Sequence, residues 1–548
     1  MPTIVNPPGS RPYSAKGNSF YLSVLTLVAA LGGLLFGYDT AVINGAEKSL
    51  VDFFIGNPEQ NKYVDNILQV ISQYRVILVI TLLLMLVVIC SLLFKIVKRN
   101  RALAVSGIAM AILGIWSFYY ISKPLPADAS DLKGTVDAVK GFIIASALIG
   151  CVIGGAIAGF ISKELGRKNG LLIAAAAFLL SAIGAWRPEA FNFFGTIDLF
   201  SFVIYRVIGG IGVGIASMIS PMYIAEIAPA EKRGKLVSLN QFAIILGMLI
   251  IYFVNYFIAR QGSEEWLAHT GWRWMFFSGA IPAVIFFILL FFVPETPRYL
   301  ALKGKDEKAL TVLQKINGRK NAPVILSNIK QTLHETNAPW LSYGFLVIFI
   351  GIMLSVFQQF VGINVVLYYA GNIFRNMGAS TDSSLLQTII VGAVNLIFTV
   401  VAIMTVDKFG RKPLMIIGSI GMAVSMIALG SMFYMNKVGV MALIFMLTYT
   451  ASFAMSWGPV CWVLLSEIFP NSIRGALSIA VASQWIANWI VSLTFPILND
   501  NLWLTEKFSH GFAYWIYGVM GILSALFVWK LVPETKGKTL EEIEKLWK

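Results

Sequence analysis

The sequence predicts an all-α polytopic membrane protein, and three observations support this fold class. Apolar residues make up 57% of the 548 residues and charged residues only 13%, against roughly a quarter in soluble globular domains. The mean hydropathy is +0.76. The apolar residues are collected into runs long enough to cross a bilayer as helices, and basic or polar segments separate these runs.

The apolar runs predict fourteen membrane spans. The first is too long for the core of a signal peptide and is followed by no small-residue cleavage site, so it is interpreted as an uncleaved span. The spans cover residues 20–45, 75–97, 102–122, 140–162, 170–186, 200–222, 236–258, 274–293, 342–370, 385–406, 413–433, 440–465, 478–498 and 512–532.

Loop charge predicts the orientation, because cytoplasmic loops of membrane proteins carry an excess of Lys and Arg. With both termini in the cytoplasm, the acidic loop 123–139 lies outside and the basic segments lie inside. This bias also accounts for the net charge of +14, so no nucleic-acid partner is expected. The basic segments are 98–101, 167–168, 232–233 and 298–330.

The chain repeats itself after about 240 residues, which indicates two homologous halves. Aligning the halves leaves the two spans within 75–122 without a counterpart, so we expect two six-helix halves with a two-helix hairpin inserted after the first span. The repeated motifs are Glu226–Gly234 with Glu467–Gly475, 166–168 (GRK) with 410–412 (GRK), and 294–296 (PET) with 533–535 (PET).

This plan divides the chain into five predicted regions. The region between the halves is polar but carries an apolar stripe, which favours two or three short helices over a disordered linker. The regions are a cytoplasmic segment 1–19, a first half 20–293 that contains the hairpin 75–122, a cytoplasmic helical linker 294–341, a second half 342–532, and a cytoplasmic tail 533–548.

Cysteine and histidine usage argues against an enzyme. The three Cys residues fall inside apolar runs and the three His residues outside them, so there is neither a disulfide framework nor a metal-ligand spacing. No metal, cofactor or catalytic site is expected. Any proton chemistry inside the membrane must therefore use carboxylates.

The stretch 357–369 (FQQFVGINVVLYY) places three amides, Gln358, Gln359 and Asn364, inside a predicted span. Amides offer donors and acceptors without charge, which suits a neutral polyhydroxylated substrate. Gly362 lies between them and can interrupt the helix, and interrupted helices form the binding sites of many transporters. The alternative is that the amides only join neighbouring helices.

The chain resembles the sugar porter family of the major facilitator superfamily, most closely its bacterial proton-coupled D-xylose symporters. The resemblance extends from about Phe20 to Trp547, apart from the hairpin 75–122. It implies the major facilitator fold. Besides the GRK turns and the 357–369 stretch, its motifs are 32–43 (GGLLFGYDTAVI), 234–245 (GKLVSLNQFAII), 294–298 (PETPR), 456–470 (SWGPVCWVLLSEIFP) and 533–539 (PETKGKT).

Residue by residue, the resemblance implies a sugar site, with aromatic rings for the apolar face of the sugar. Asp39 and Arg206 match its proton-coupling pair; a carboxyl that gains and loses an Arg partner can load and release a proton, although a permanent structural ion pair is the alternative. The expected sugar-site residues are Gln241, Gln358, Gln359, Asn364, Trp462, Gln484 and Trp485, with Phe36, Asn395 and Tyr368 as further lining or gating positions.

A second set of charged residues is expected to form a conformational switch at the cytoplasmic ends of the spans. We expect charge pairs between the two halves there, which hold the inner side closed and break when it opens. The alternative is that these residues only satisfy the loop-charge rule. The set is Glu226, Arg233, Glu467 and Arg474, with Arg167 and Arg411 in the GRK turns.

The predicted function is import of a monosaccharide, D-xylose before others, by proton symport through alternating access. The alternatives are a facilitative uniporter of xylose or glucose and a sugar receptor that does not transport. Xylose and glucose differ by one hydroxymethyl group, so the sequence does not fix the sugar. The expected location is the bacterial inner membrane, where the lipid bilayer surrounds a functional monomer.

Overall fold

The computed structural model describes residues 18–56, 63–96, 99–124, 129–190, 199–229, 232–333, 338–470, 473, 476–537, 542–543 and 547. Every regular element in these residues is a helix. Fourteen helical segments among them are long and apolar enough to cross a membrane, and each predicted span lies on one of these segments.

The first half of the chain begins with one long segment made of α1 and α2, and it ends with α10 and α11, which follow a π-helical turn at Leu267–Gly271. The remaining helices are uninterrupted. The bounds are α1 Ser19–Ala41, α2 Ile43–Phe54, α3 Tyr63–Ile96, α4 Arg99–Ser122, α5 Ala129–Glu164, α6 Arg167–Trp186, α7 Leu199–Ile227, α8 Arg233–Ala259, α9 Glu264–Trp266, α10 Trp272–Ser278 and α11 Ala280–Phe292.

Three short helices follow, as the apolar stripe in the linker region predicted. The middle one buries Ala309, Val312, Leu313 and Ile316, and the backbone N–H of Asn18 donates to the Lys315 carbonyl at 3.2 Å, which ties the linker to the start of α1. Their bounds are α12 Pro297–Leu302, α13 Asp306–Asn317 and α14 Ala322–Leu333.

The second half contains two interrupted segments, α15 with α16 and α19 with α20. A short helix, α22, was not predicted from the sequence. The bounds are α15 Phe345–Phe360, α16 Ile363–Asn376, α17 Thr381–Phe409, α18 Arg411–Tyr434, α19 Val440–Met455, α20 Trp457–Ile468, α21 Leu477–Asp500, α22 Leu502–Phe508 and α23 Gly511–Leu531.

The halves meet along paired helices. Within the first half α5 and α6 pack on α7, and α1 packs on α8; within the second half α18 packs on α23, and α15 on α21. Across the halves α5 packs against α21, α8 against α17, and α2 against α16. The interrupted helix α15–α16 therefore lies among helices of both halves.

Gly362 interrupts the α15–α16 segment. Its φ of +92° is in the left-handed region, which favours glycine because a Cβ is strained there. The Val361 carbonyl next to the break accepts the hydroxyl of buried Tyr449 at 2.7 Å. The predicted interruption is thus confirmed, and a side chain from α19 supplies a partner for a carbonyl that the break exposes.

The α19–α20 segment is interrupted at Ser456, which lies at φ −129° and ψ −87°. The sequence explains the break, because Pro459 has no N–H and its ring would clash with the Met455 carbonyl in a continuous helix. Gln358 on α15 donates to the carbonyls of Trp457 and Gly458 in the first turn of α20, at 2.9 and 3.4 Å. Both interruptions lie in the second half and face each other.

The helices α3 and α4 form a hairpin at the edge of the first half. The α3 helix packs on α5 and α7, whereas the main packing partner of α4 is α3. Ile115 and Phe118 on α4 are 74% and 78% exposed, so its outer face suits a lipid environment. Buried Arg75 of α3 caps the end of α4 by donating to the carbonyls of Lys123 and Pro124.

We expect Gly362→Ala to lower the stability of the protein more than Gly378→Ala, at the end of α16. Both glycines have positive φ, +92° and +89°, so both substitutions strain the backbone by about 1 kcal/mol. A Cβ at Gly362 would also lie 2.7 Å from the Tyr517 ring, whereas nothing lies within 4 Å of one at Gly378. Thermal unfolding of the two purified variants in detergent measures the difference, and equal losses would contradict this role of Gly362.

Candidate functional site

One turn of α1 carries three residues that contact different parts of the molecule. The Phe36 ring lies 5.6 Å from that of Trp485 on α21, and the Thr40 hydroxyl donates to the Phe36 carbonyl at 2.9 Å. Asp39 points towards α7. Gly37, in the same turn, lies directly against α8, because a Cβ there would be 1.8 Å from the Ile244 carbonyl oxygen.

Asp39 and Arg206 form a buried ion pair, and their part in proton coupling stays a prediction. The Arg206 guanidinium donates to the Asp39 carboxylate at 3.0 Å and to its backbone carbonyl at 3.2 Å. The Arg206 side chain is 1% exposed and that of Asp39 14%. The Phe276 ring lies 5.1 Å from the guanidinium carbon, so an apolar face limits access to the cation.

The pair is not fully satisfied by protein groups. Asp39 Oδ2 and Arg206 Nε are buried and have no hydrogen-bond partner in the protein. A cavity of about 10 Å³ lined by Tyr38, Asp39 and Phe276 lies beside the carboxylate, which is about the space of one water molecule. One carboxylate oxygen therefore lies beside a small cavity and has no protein donor.

The three amides of the interrupted helix form one hydrogen-bonded row. The Asn364 side-chain N–H donates to the Gln359 carbonyl, and the Gln359 N–H donates to that of Gln358 at 3.5 Å. The Gln358 N–H donates to the Trp457 backbone carbonyl at 2.9 Å. The break at Gly362 is what brings Asn364 to this row, and all three side chains are buried.

Three further predicted residues lie on α21 and α16, both of which contact α15. Gln484 and Trp485 are buried on α21, and Gln484 Oε1 and Trp485 Nε1 have no protein partner. The Tyr368 side chain on α16 is buried and lies near those of Asn488 and Thr40. Unpartnered polar atoms on buried side chains leave hydrogen-bonding capacity for a ligand.

The structure places the remaining predicted sugar-site residues on neighbouring helices rather than in the amide row. Gln241 is half-buried on α8 and Trp462 is half-buried on α20. Asn395 is buried on α17, which packs on α8. Their part in a common site stays a prediction.

The repeated motifs of the first half converge on one cluster. The Arg167 guanidinium donates to the Glu226 carboxylate at 2.7 Å, and the Thr296 hydroxyl donates to the other Glu226 oxygen at 2.6 Å. Glu295 accepts the backbone N–H groups of Arg167 and Lys168, both at 3.1 Å. A carboxylate thus caps the start of α6, where the helix dipole favours negative charge.

The second half repeats this cluster contact by contact. Arg411 donates to Glu467 at 2.9 Å and the Thr535 hydroxyl donates to Glu467 at 2.6 Å. Glu534 accepts the backbone N–H groups of Arg411 and Lys412 at 3.1 and 3.0 Å. The sequence repeat therefore encodes a repeated structure, and the PET motifs, whose part the sequence did not suggest, complete it.

These contacts correct one expectation. The sequence predicted charge pairs between the halves, but Arg167 and Arg411 each bond the glutamate of their own half. That expectation is wrong for these two pairs, because duplication copied each arginine together with its partner. Arg233 is half-buried at the first residue of α8, and Arg474 lies outside the described residues.

Polar contacts that do join the halves lie at the opposite end of the bundle. Arg375 on α16 pairs with Glu47 on α2, and Lys140 on α5 lies 3.5 Å from Asp500 on α21. The Thr381 hydroxyl donates to Glu264 at 2.8 Å. Sequence reasoning missed these residues because their pairing depends on where distant helix ends meet.

Comparison with known proteins identifies the family. A family model described as "Sugar (and other) transporter" matches residues 25–547. The chain belongs to this transporter family. The transporter is 51% identical to the D-xylose-proton symporter of Escherichia coli K12, over 97% of this chain and 96% of that protein. It is 36% identical to the glucose facilitated diffusion protein of Zymomonas mobilis, over 98% and 99%.

A solved structure supports the fold assignment. The transporter resembles the major facilitator superfamily proton:xylose symporter XylE bound to 6-bromo-6-deoxy-D-glucose, with a TM-score of 0.72 and 50% identity over 97% of this chain and 100% of that one. The chain is thus an integral membrane protein with the major facilitator fold. It is a transporter rather than an enzyme, as the sequence predicted.

The glutamates of the two PET motifs, Glu295 and Glu534, are expected to respond differently to loss of their charge. Burial raises the pKa of the Glu295 carboxyl, and backbone N–H donors only partly oppose this. Burial also acts on Glu534, but four backbone N–H donors outweigh it and lower its pKa. Folding therefore favours the charged form of Glu534. The ionised carboxylate stabilises the fold at pH values above its unfolded pKa, and this stabilisation is lost as the pH falls through its folded pKa. Folding favours the neutral form of Glu295 instead. Its contribution to stability is therefore present at low pH and is lost as the pH rises through its folded pKa.

We therefore expect Glu534→Gln to lower stability at pH 7.5 by more than Glu295→Gln, by about 1 kcal/mol because the site is partly solvated. Each substitution replaces one carboxylate oxygen that accepts backbone N–H groups, so the two variants are matched. The difference between their stabilities then measures the effect of the charge. Thermal unfolding in detergent between pH 4 and 8 measures it. A larger loss for Glu295→Gln would contradict the assignment.

Proposed function

We propose that the protein imports a monosaccharide, D-xylose before others, by proton symport through alternating access. The observation that carries the proposal is the buried pair of Asp39 and Arg206, which supplies a titratable group inside a transporter that is 51% identical to a D-xylose-proton symporter. The sugar and the proton are the two substrates, and no metal or cofactor is required.

The proton step needs a carboxyl whose partner can leave. In the proposed cycle Arg206 leaves Asp39 and a proton replaces it as the partner of the carboxylate, because a buried charge without a partner is costly. The unpartnered Asp39 Oδ2 and the adjacent cavity give that proton a place to arrive.

The sugar step uses the amide row and the ring of Trp485. Gln359 and Asn364 offer donors and acceptors to hydroxyl groups, Gln484 offers its unpartnered Oε1, and Trp485 offers a flat apolar surface. Gln241, Trp462, Asn395, Tyr368 and Phe36 complete the proposed site.

Coupling between the two steps runs through α1. Asp39 is paired with Arg206 of α7. In the same helical turn, Phe36 packs near Trp485 and Thr40 lies near Tyr368, both in the second half. A movement of α1 that separates Asp39 from Arg206 must then also change the contacts with the sugar-binding half. This connection favours symport over a uniporter.

The contacts at the two ends of the bundle support an alternating-access cycle. We assign the Glu47–Arg375 and Lys140–Asp500 contacts to the extracellular side, which they hold closed in this conformation. The clusters at Glu226 and Glu467, with Arg233 and Arg474, are assigned to the cytoplasmic side. Their role is to hold the ends of each half rigid while the halves rearrange.

Facilitated diffusion is the second candidate, because the relative from Zymomonas mobilis is named for it and is 36% identical. A receptor without transport is a third, to which no contact in the structure points. The distinction between symport and facilitated diffusion is energetic. A proton moving down about 100 mV releases about 2.3 kcal/mol, enough for roughly a fifty-fold sugar gradient, which a uniporter cannot sustain.

The proposed topology has fourteen spans, with a cytoplasmic N-terminal segment 1–19 and tail 533–548. Two six-helix halves, 20–293 and 342–532, flank a cytoplasmic linker 294–341, and the hairpin 75–122 is an insertion after the first span. The exposed apolar face of α4 supports the insertion, because it fits lipid. We place the protein in the bacterial inner membrane as a functional monomer.

We expect Gln359→Ala to weaken xylose binding by about 1–3 kcal/mol, because it leaves sugar hydroxyls and Asn364 without a partner. Calorimetric titration of the purified protein measures this. The matched control is Gln387→Ala, which removes a half-buried amide on α17 that bonds Ser383, and it should bind xylose as the unaltered protein does. Equal affinity in the two variants would favour a purely structural amide row.

We expect Asp39→Asn to abolish uphill, pH-dependent accumulation of labelled xylose, since it removes the titrating group and keeps the shape. Sugar binding and energy-independent counterflow should persist. Glu189→Gln, which neutralises a carboxylate that pairs with Arg273 beyond the end of α6, should accumulate xylose normally. If Asp39→Asn cells still concentrate xylose and still alkalinise the medium on sugar addition, the symport assignment fails.

A further inference from the structure

The amide row ends on a backbone carbonyl, and this end fixes the direction of every hydrogen bond in the row. A carbonyl can only accept, so the Trp457 oxygen requires the N–H side of Gln358. Gln358 must then turn its own oxygen to Gln359, and Gln359 its oxygen to Asn364. Asn364 uses an N–H in this row, which leaves its oxygen for another partner.

The Trp457 carbonyl is itself held in place from behind. The Trp457 indole N–H donates to the Ser419 hydroxyl at 2.7 Å and to the Met415 carbonyl at 3.2 Å, both on α18. The Ser524 hydroxyl on α23 donates to Ser419 at 3.0 Å. Trp457, Ser419 and Ser524 are each 0% exposed.

Close backbone packing stiffens this anchor. A Cβ at Gly418 would lie 1.8 Å from the Ser456 hydroxyl oxygen, so α18 lies directly against the interruption that precedes Trp457. Ser456 is therefore packed against α18, and the indole of Trp457 is hydrogen-bonded to α18. A chain of polar groups reaches from α23, through α18 and α20, to the amides of α15 and α16.

We propose that Trp457, anchored by Ser419 and Ser524, is a positioning residue that sets the hydrogen-bond polarity of the amide row, so that Asn364 presents an acceptor to a donating sugar hydroxyl. The inference rests on the proposed sugar site and adds a rule of selectivity to it. A sugar must donate a hydrogen bond at the position that faces Asn364, and a group that only accepts is rejected there.

Monofluorinated sugars test this rule, because fluorine in place of a hydroxyl can accept weakly but cannot donate. D-Xylose and its 2-, 3- and 4-deoxyfluoro analogues are titrated into the purified full-length protein. We expect one analogue to bind at least about tenfold more weakly than xylose, since it leaves the Asn364 oxygen unpaired. The readout is the ratio of the two affinities, which a general loss of stability does not change.

Trp457→Phe removes the indole N–H and keeps a buried aromatic ring. The variant keeps the carbonyl of residue 457 but loses the indole bonds that hold it against α18. We expect the affinity ratio to fall by about fivefold, because a carbonyl that can move away from Gln358 no longer fixes the direction of the amides. The matched control is Trp272→Phe in the first half, where the indole is also 0% exposed and donates to the Ala268 carbonyl at 3.0 Å. The control should lose similar stability and keep the ratio.

Ser419→Ala provides a second, milder variant should Trp457→Phe fail to fold, because the indole keeps its bond to Met415. It should reduce the ratio in the same direction by about twofold. An unchanged ratio in the folded anchor variants, with weaker xylose binding by Gln359→Ala, would overturn the inference and leave the proposed function standing. Undiminished xylose binding by Gln359→Ala would instead refute the sugar site itself.

Discussion

The structure depends on one constraint, which is that a polar group away from water must find a partner inside the protein. An uninterrupted helix meets this constraint alone, because its backbone groups bond each other. The interruption at Gly362 leaves the Val361 carbonyl outside this pattern, and the Tyr449 hydroxyl supplies its partner. Gln358, which belongs to the candidate sugar site, donates to the Trp457 carbonyl beside the second interruption.

The same constraint explains the two repeated clusters. Each joins a helix start, an arginine and two carboxylates at the end of a half, where charged groups can be paired with each other and with backbone N–H groups. The identical pattern in both halves shows that the motifs are structural units inherited together. Contacts between the halves, such as Glu47 with Arg375, are by contrast single and not repeated.

Much of this could be predicted from the sequence, for physical reasons that differ between elements. Span positions follow from the length of the apolar runs, and the break at Gly362 follows from a glycine among amides. The anchor of Trp457 on Ser419 could not be predicted, because it depends on two helices meeting at one register. The error over Arg167 and Arg411 arose because a repeat reveals equivalent residues and not which copy of a partner each contacts.

The turn of α1 that holds Phe36, Asp39 and Thr40 has a consequence for leakage. A helical turn is stiff, and Gly37 presses this one against the α8 backbone, so its three contacts cannot move independently. In the proposed mechanism a proton that crossed without sugar would require the turn to unwind or to slide along α8 while Trp485 and Tyr368 stayed behind. Tight stoichiometry would then be a property of helix rigidity rather than of any single affinity, and loosening this turn would produce a transporter that dissipates the proton gradient.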